Sequence, residues 1–423
     1  MSSSKSSGRV FGCATRLPVA VGGAVAKRLL RGSARACRAA VAVAGVLLLG
    51  LGLAACGGGG TETNDTGTVQ GDWAWTLPAR FPLPRVPDAN PMSRARFELG
   101  RFLFNDVRLS GNGRQACGSC HQQDKAFTDG RVTAVGSTGQ AHPRNTQSVV
   151  NVVYNTTLTW ANPLMTELEL QARVPLFGEN PVEMGVTEAN KAEVLARIAA
   201  DPRYPSMFAS AFADDPAPIS WNNTIKAIAT FQRGLVSGAS KYDQWLAGTA
   251  LLTASEARGK DLFSSEKAEC FHCHTGFNFN DQVNHAGTRV ALTPFHNTGL
   301  YNIDGLGGFP FPNRGVFELD LVPSHMGQFR APSLRNVGVT APYMHDGSIA
   351  TLEEVLDFYA AGGRNITSGP HAGDGRLNPF KSDLVGRINL SAQDKADLIA
   401  FLRTLTDEDL LTNARFSNPF AAR

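Results

Sequence analysis

The pentapeptides Cys117-Gly118-Ser119-Cys120-His121 and Cys270-Phe271-His272-Cys273-His274 constrain this chain more than any other feature. Cys at i and i+3 with His at i+4 share one face of a helix. Two sulfurs can therefore bond covalently to a porphyrin while the imidazole reaches its iron. Cys-x-x-Cys-His is the c-type haem attachment pattern, and two copies predict two covalently attached c-type haems with His121 and His274 as proximal ligands. Other uses of paired cysteines fit less well. A zinc ribbon wants its second pair roughly 15–20 residues on, whereas these pairs begin at positions 117 and 270. A redox dithiol leaves the His after each pair unexplained. His272, inside the second motif, points elsewhere on the helix and reads as a bystander.

The remaining cysteines, Cys13, Cys37 and Cys56, precede the body, so none is left for a structural disulfide there. Residues 1–55 carry eight basic residues (Lys5, Arg9, Arg16, Lys27, Arg28, Arg31, Arg35, Arg38) and no acid; with a formal net charge of +3 overall, the rest carries −5. A mildly acidic body argues against nucleic acid as a partner, because phosphate binding needs clustered Lys and Arg. Ala39–Ala55 is Ala, Val, Leu and Gly only, and Leu53-Ala54-Ala55-Cys56 reads as a bacterial lipobox. A basic leader, an apolar core and small residues before a cut describe an export signal. The expectation is a lipoprotein signal peptide over 1–55 and a lipidated, Gly- and Thr-rich flexible tether over 56–72. The protein is then held to a membrane at Cys56 in the bacterial cell envelope, periplasmic and on the outer membrane.

At 423 residues the chain is too long for one core. Amphipathic spacing predicts helices over 94–104, 187–201, 221–247, 253–263 and 391–405, and Thr253-x-x-Glu256 and Thr351-x-x-Glu354 are capping-box signatures. A weak repeat accompanies the motifs: Gly100-x-x-Leu103-Phe104 precedes the first, Gly259-x-x-Leu262-Phe263 the second. The fold class expected is mainly α, with two cytochrome c-like haem domains, 73–248 and 249–423, whose long loops pack around an interdomain interface. The Gly-, Pro- and Asn-rich stretch 275–335 is long for a connector, which favours functional loops.

The second axial position of each iron decides between electron transfer and peroxide chemistry. For the first haem the nearby downstream candidate is His142; for the second, Tyr359 competes with Met344.

From Asn90-Pro91-Met92 to about Leu405 the chain resembles the bacterial dihaem cytochrome c peroxidase and MauG superfamily. The matching landmarks are Leu99-Gly100-Arg101, Phe127-Thr128-Asp129-Gly130-Arg131, Arg144-Asn145-Thr146, Glu183-Met184-Gly185, Pro332-Ser333-Leu334-Arg335-Asn336-Val337 and Thr340 through Gly347. Leu158–Pro163, Val174–Gly185 and His296–Asp304 look like the branch containing MbnH, whose enzymes are paired with a secreted copper-binding partner. MbnH converts a tryptophan of its partner to kynurenine. The resemblance implies that Ser137 replaces a His ligand of ordinary dihaem peroxidases, which leaves the first haem open to hydrogen peroxide, and that Gln171, Pro175 and Glu183 form its distal pocket. A short insertion separates Gln171 from Glu183 relative to those peroxidases. Glu183 is the implied acid–base residue; a capping or ion-paired glutamate is the alternative.

By the same resemblance Tyr359 takes the place of a Met ligand on the second haem. A phenolate would stabilise the higher oxidation states there, with Met344 as the rival and His345 as a supporting residue. Trp160 matches the tryptophan between the haems, where an indole can relay charge; filling the interface is its alternative. Asn145 and the carbonyls of Thr340 and Pro342 would bind one calcium ion. The implied function is reaction with peroxide, storage of oxidising equivalents across both irons, and oxidation of an aromatic residue on a partner protein. A peroxide-scavenging peroxidase fed by small cytochromes or cupredoxins is the second reading, and a non-enzymatic electron carrier the third.

Overall fold

The computed structural model describes residues 72–421 and the backbone of Val69–Gln70. The signal peptide, most of the tether and the lipobox Cys56 lie outside the described residues. The fold is mainly helical, matching MauG and dihaem peroxidase folds. Among the described residues its strands are two short antiparallel pairs: Val69–Gln70 with Trp73–Ala74 (Val69 opposite Ala74) and Asn365–Ile366 with Gly373–Asp374 (Asn365 opposite Asp374). No helix among the described residues is long and apolar enough to cross a membrane.

The helix Arg94–Asn105 begins where Ser93 accepts a hydrogen bond from the Arg96 N–H at 3.1 Å, and it ends at extended Asp106. Its apolar spacing buries Phe97, Leu99, Leu103 and Phe104 against the helix Trp221–Arg233, where Phe231 is wholly buried. Burying such a side chain stabilises by roughly 1.5–3 kcal/mol. Trp73, Phe208 and Leu235 extend this core, and Leu410 and Phe416 return to it from the far end of the chain. A second core joins Phe263, Phe279, Leu356, Leu398 and Phe401. A third gathers Trp160, Leu300, Phe309, Phe329 and Phe358.

The sequence repeat is a packing repeat. A Cβ on Gly100 would stand 2.0 Å from the Ala227 carbonyl oxygen and 2.9 Å from the Phe231 Cβ. A Cβ on Gly259, in the helix Ala254–Phe263, would stand 1.9 Å from the Asp397 carbonyl oxygen and 2.9 Å from the Phe401 Cβ. Each glycine thus lets one helix rest on the backbone of another, and the partner helix presents the same i, i+4 pair of contacts. Gly100→Ala and Gly259→Ala are each expected to lower unfolding stability by about 3 kcal/mol, the scale of overpacking a close contact. Denaturant titration checks this, the midpoint falling at constant slope; an unchanged midpoint would contradict the close approach.

Both expected capping boxes form, Thr253 with Glu256 and Thr351 with Glu354. The expected helix over 187–201 is shorter, Lys191–Ala199, because the Asn190 side chain takes the Thr187 N–H at 2.7 Å and turns the chain first. The expected helix over 221–247 is two, Trp221–Arg233 and Lys241–Leu246. Between them the Asp407 carboxylate accepts from the Ser237 hydroxyl and from the N–H groups of Gly238 and Ala239. Asn151 takes the Ser237 N–H. These side chains occupy donors that a continuous helix would need. Asp243, on the second helix, then forms a buried ion pair with Arg335 at 2.8 Å.

Candidate functional site

Cys117–Cys120 form one helical turn that ends at His121, whose N–H bonds the Cys117 carbonyl at 2.9 Å. Ala126 and Phe127 both adopt positive φ, 48° and 60°, in the loop that follows. The His121 Nδ1 donates to the Phe127 carbonyl at 2.8 Å. A carbonyl can only accept, so this contact fixes the tautomer and leaves Nε2 free to coordinate a metal. Burial lowers the His121 pKa and keeps the ring neutral, the form that binds iron. Burial also pushes the Cys117 thiol up to about 12.

The first cavity has a water-accessible interior of about 360 Å³ and is lined by Cys117, Cys120 and His121 together with Gln171, Pro175 and Glu183. Gln171 ends the helix Leu168–Gln171, and Pro175 lies within Arg173–Phe177. The Pro175 carbonyl accepts the Met184 N–H at 2.9 Å, which brings the Glu183 loop against that helix. Gly136, whose Cβ would collide with the Val182 carbonyl oxygen at 1.8 Å, lets the 136–142 loop close over the same segment. Ser137 is held there by its N–H to the Glu183 carbonyl at 2.7 Å. Sequence reading treated His142 as a possible iron ligand; the structure places its Nε2 at 3.5 Å from the Glu183 carboxylate. His142 Nδ1 accepts from the Arg144 N–H at 3.2 Å, so a neutral ring carries its proton on Nε2, toward Glu183. No spacing rule announces that pairing.

The second motif forms a tight turn, Cys270–His272, followed by Cys273 and His274. The His274 Nδ1 donates to the carbonyls of Pro332 at 3.0 Å and Phe279 at 3.2 Å, again leaving Nε2 free. His272 faces acids instead, its Nε2 lying 2.9 Å from Glu269. The second cavity, about 260 Å³, is lined by Cys270, Cys273, His274, Met344 and Tyr359. Tyr359 projects from Leu352–Ala360. Its hydroxyl makes no hydrogen bond to any described residue, and burial raises its pKa. A phenol with no protein partner facing a haem cavity fits the role of an iron donor, and a bound ferric ion would reverse the bias toward the protonated form. Met344, at φ 71°, needs no polar partner and lines the same cavity. His345 stacks on Phe329 with centroids 3.6 Å apart, and burial lowers its pKa to about 4.

Trp160 lines both cavities. It is 8% exposed, and its indole N–H donates to the Asn145 carbonyl at 3.0 Å. The Asn145 amide nitrogen donates to the Arg131 carbonyl at 2.8 Å, and its Oδ1 accepts no hydrogen bond from any described residue. Among the described residues the Thr340 and Pro342 carbonyls also accept no hydrogen bond. Oxygens of this kind are the donor type that a hard cation takes.

Two attachment motifs with tautomer-fixed histidines, two cavities and a tryptophan common to both define a di-haem c-type oxidoreductase, and the residues present fit both haems. The chain belongs to the di-haem cytochrome c peroxidase family. A family model of that description matches residues 94–250. The methylamine utilization protein MauG of Methylorubrum extorquens is 35% identical over 84% of this chain and 90% of its own length. Cytochrome-c peroxidase IdrP1 of Denitromonas iodatirespirans is 33% identical over 78% and 87%. The crystal structure of a MauG-like protein associated with microbial copper homeostasis is 56% identical, with 82% of this chain and 100% of that chain covered and a TM-score of 0.82.

Proposed function

We propose that this oxidoreductase reacts with hydrogen peroxide in the His121 cavity and uses the oxidising power to modify a tryptophan, or another aromatic residue, of a secreted copper-binding partner protein. The observation that carries this reading is the convergence of Gln171, Pro175 and Glu183 on the cavity of His121. When bound, the two haems would supply the redox chemistry of peroxide reduction and the capacity to store oxidising equivalents. The chain does the rest. Glu183 takes a proton from one peroxide oxygen and returns it to the other as the bond breaks, and Gln171 orients the bound molecule with its amide. Trp160 would pass an electron between the cavities it lines, and Tyr359 would hold the second iron through its phenol oxygen. The partner is oxidised at the surface, so none of its side chains has to thread into a cavity.

The relationship to MauG and the copper-homeostasis association of the 56% identical structure support this choice of substrate class. We also assign the leader to export and Cys56 to lipid anchoring on the periplasmic side of the outer membrane. The paired glycine crossings support two haem domains, 73–248 and 249–423. Asn145, Thr340 and Pro342 are assigned to one calcium ion; chelation should then lower the thermal midpoint of the holoenzyme, with recovery on adding calcium, and no change would remove the assignment.

The deciding experiment mixes holoenzyme, peroxide and a secreted copper-binding protein, sought first among the products of neighbouring genes, and follows that protein by mass spectrometry. A mass change confined to one tryptophan is expected. Rapid turnover with reduced cytochrome c and an unmodified partner would favour the scavenging peroxidase, the reading that the cytochrome-c peroxidase relative supports. Two six-coordinate low-spin haems unreactive toward peroxide would leave an electron carrier.

A further inference from the structure

Arg330 is a buried cation that no acid of the described residues pairs with. The residue is 5% exposed. Its backbone N–H bonds the Trp160 carbonyl at 2.8 Å, its Nε donates to the Thr159 carbonyl at 3.2 Å, and its Nη2 donates to the Gln147 side chain. A guanidinium carries five N–H donors. Two are used here, and the others, including both on Nη1, have no partner among the described residues. The other two arginines that line the cavities are answered: Arg144 by Glu318 at 2.7 Å and Arg335 by Asp243 at 2.8 Å. The acid that acts on Arg330 from a distance is Asp281, which is already paired with His296 at 2.5 Å. That ion pair already occupies Asp281, so it does not contact the Arg330 guanidinium. Burial meanwhile pulls Arg330 down to about 10.

A buried charge without a partner is strongly unfavourable, and proteins retain one where an anion completes it. Arg330 lines both cavities, and each cavity belongs to a haem, whose propionate carboxylates are the anions missing from the protein. We propose that Arg330 is a shared anchor, its guanidinium fork holding one propionate of each haem and setting both iron potentials. The planar fork suits carboxylates. This positioning role does not depend on which substrate the enzyme oxidises.

A cation beside an iron favours the ferrous form, which carries less positive charge. Removing it, and leaving the propionates unneutralised, both act in the same direction. In Arg330→Gln holoenzyme the ferrous-to-ferric ratio at a fixed potential should fall at least tenfold at each haem, a midpoint shift of about 59 mV for one electron. Both midpoints should also gain a pH dependence as the released propionates titrate. Arg330→Lys, which keeps the charge and loses the fork, should reverse most of the shift. Spectroelectrochemistry resolved at each haem reads this. Unchanged potential at either haem, with both still attached, overturns the shared anchor. If Arg330→Gln fails to mature, a crystal structure of the wild-type holoenzyme decides: guanidinium nitrogens within about 3 Å of a propionate oxygen of each haem are expected, and a fork turned from either propionate overturns the proposal.

Discussion

Glu183→Gln is expected to slow the reaction of the holoenzyme with peroxide by about 10²–10⁴-fold, the range that a positioned acid–base group contributes. The substitution keeps the shape and the hydrogen-bonding capacity of the side chain and removes its ability to carry the proton between the two oxygens. The Glu183 backbone, bonded to Ser137 at 2.7 Å, is untouched, so the loop should hold its place. Stopped-flow measurement at the first haem checks the rate, and a rate within twofold of wild type would return Glu183 to a structural role. The accompanying control is His142→Ala. Since His142 Nε2 faces Glu183 at 3.5 Å, its loss should slow the reaction less than loss of Glu183 and leave the ferric spin state unchanged. A change from low to high spin would instead make His142 an iron ligand and close the site that peroxide needs.

Tyr359→Phe is expected to abolish partner oxidation and to change the ferric spectrum of the second haem, with both haems still attached. The attachment assigned to Cys270 and Cys273 does not involve the phenol, and the His274 ring is held by the Pro332 and Phe279 carbonyls. What is lost is one oxygen donor on a ring that otherwise fits its pocket. A phenolate lowers the potential of the iron that it binds, whereas a Met ligand raises it. Tyr359→Met should therefore give a higher midpoint potential at the second haem and behave as an ordinary electron-transfer site. A second-haem spectrum indifferent to Tyr359→Phe would hand the ligand role to Met344, which lines the same cavity. This outcome is distinct from failure of the Glu183 experiment, because each reads a different iron.

Much of the molecule could be read from short stretches of chain. The attachment motifs are local, because the spacing of Cys117, Cys120 and His121 needs only one turn of backbone to bring three groups to one porphyrin. The capping boxes at Thr253 and Thr351 are local for the same reason and form as expected. The resemblance reached further and brought Gln171, Pro175 and Glu183 together as a pocket, which the structure assembles around one cavity. It did not reveal that His142 faces Glu183, or that the helix expected over 221–247 breaks where Asp407 captures Ser237, Gly238 and Ala239.

The amino-acid sequence by itself determined the place of two Cys-x-x-Cys-His motifs and where the helices at Arg94, Trp221, Ala254, Leu352 and Ala392 begin, since these follow from geometry within a few residues. The tertiary structure alone decided which groups have partners. Among the described residues Arg330 alone of the three cavity-lining arginines has no acid partner, Tyr359 keeps an unbonded hydroxyl, and Trp160 borders two cavities at once. Burial and charge compensation depend on segments that meet only after long loops have closed, and no local pattern records what a side chain will lack when they do.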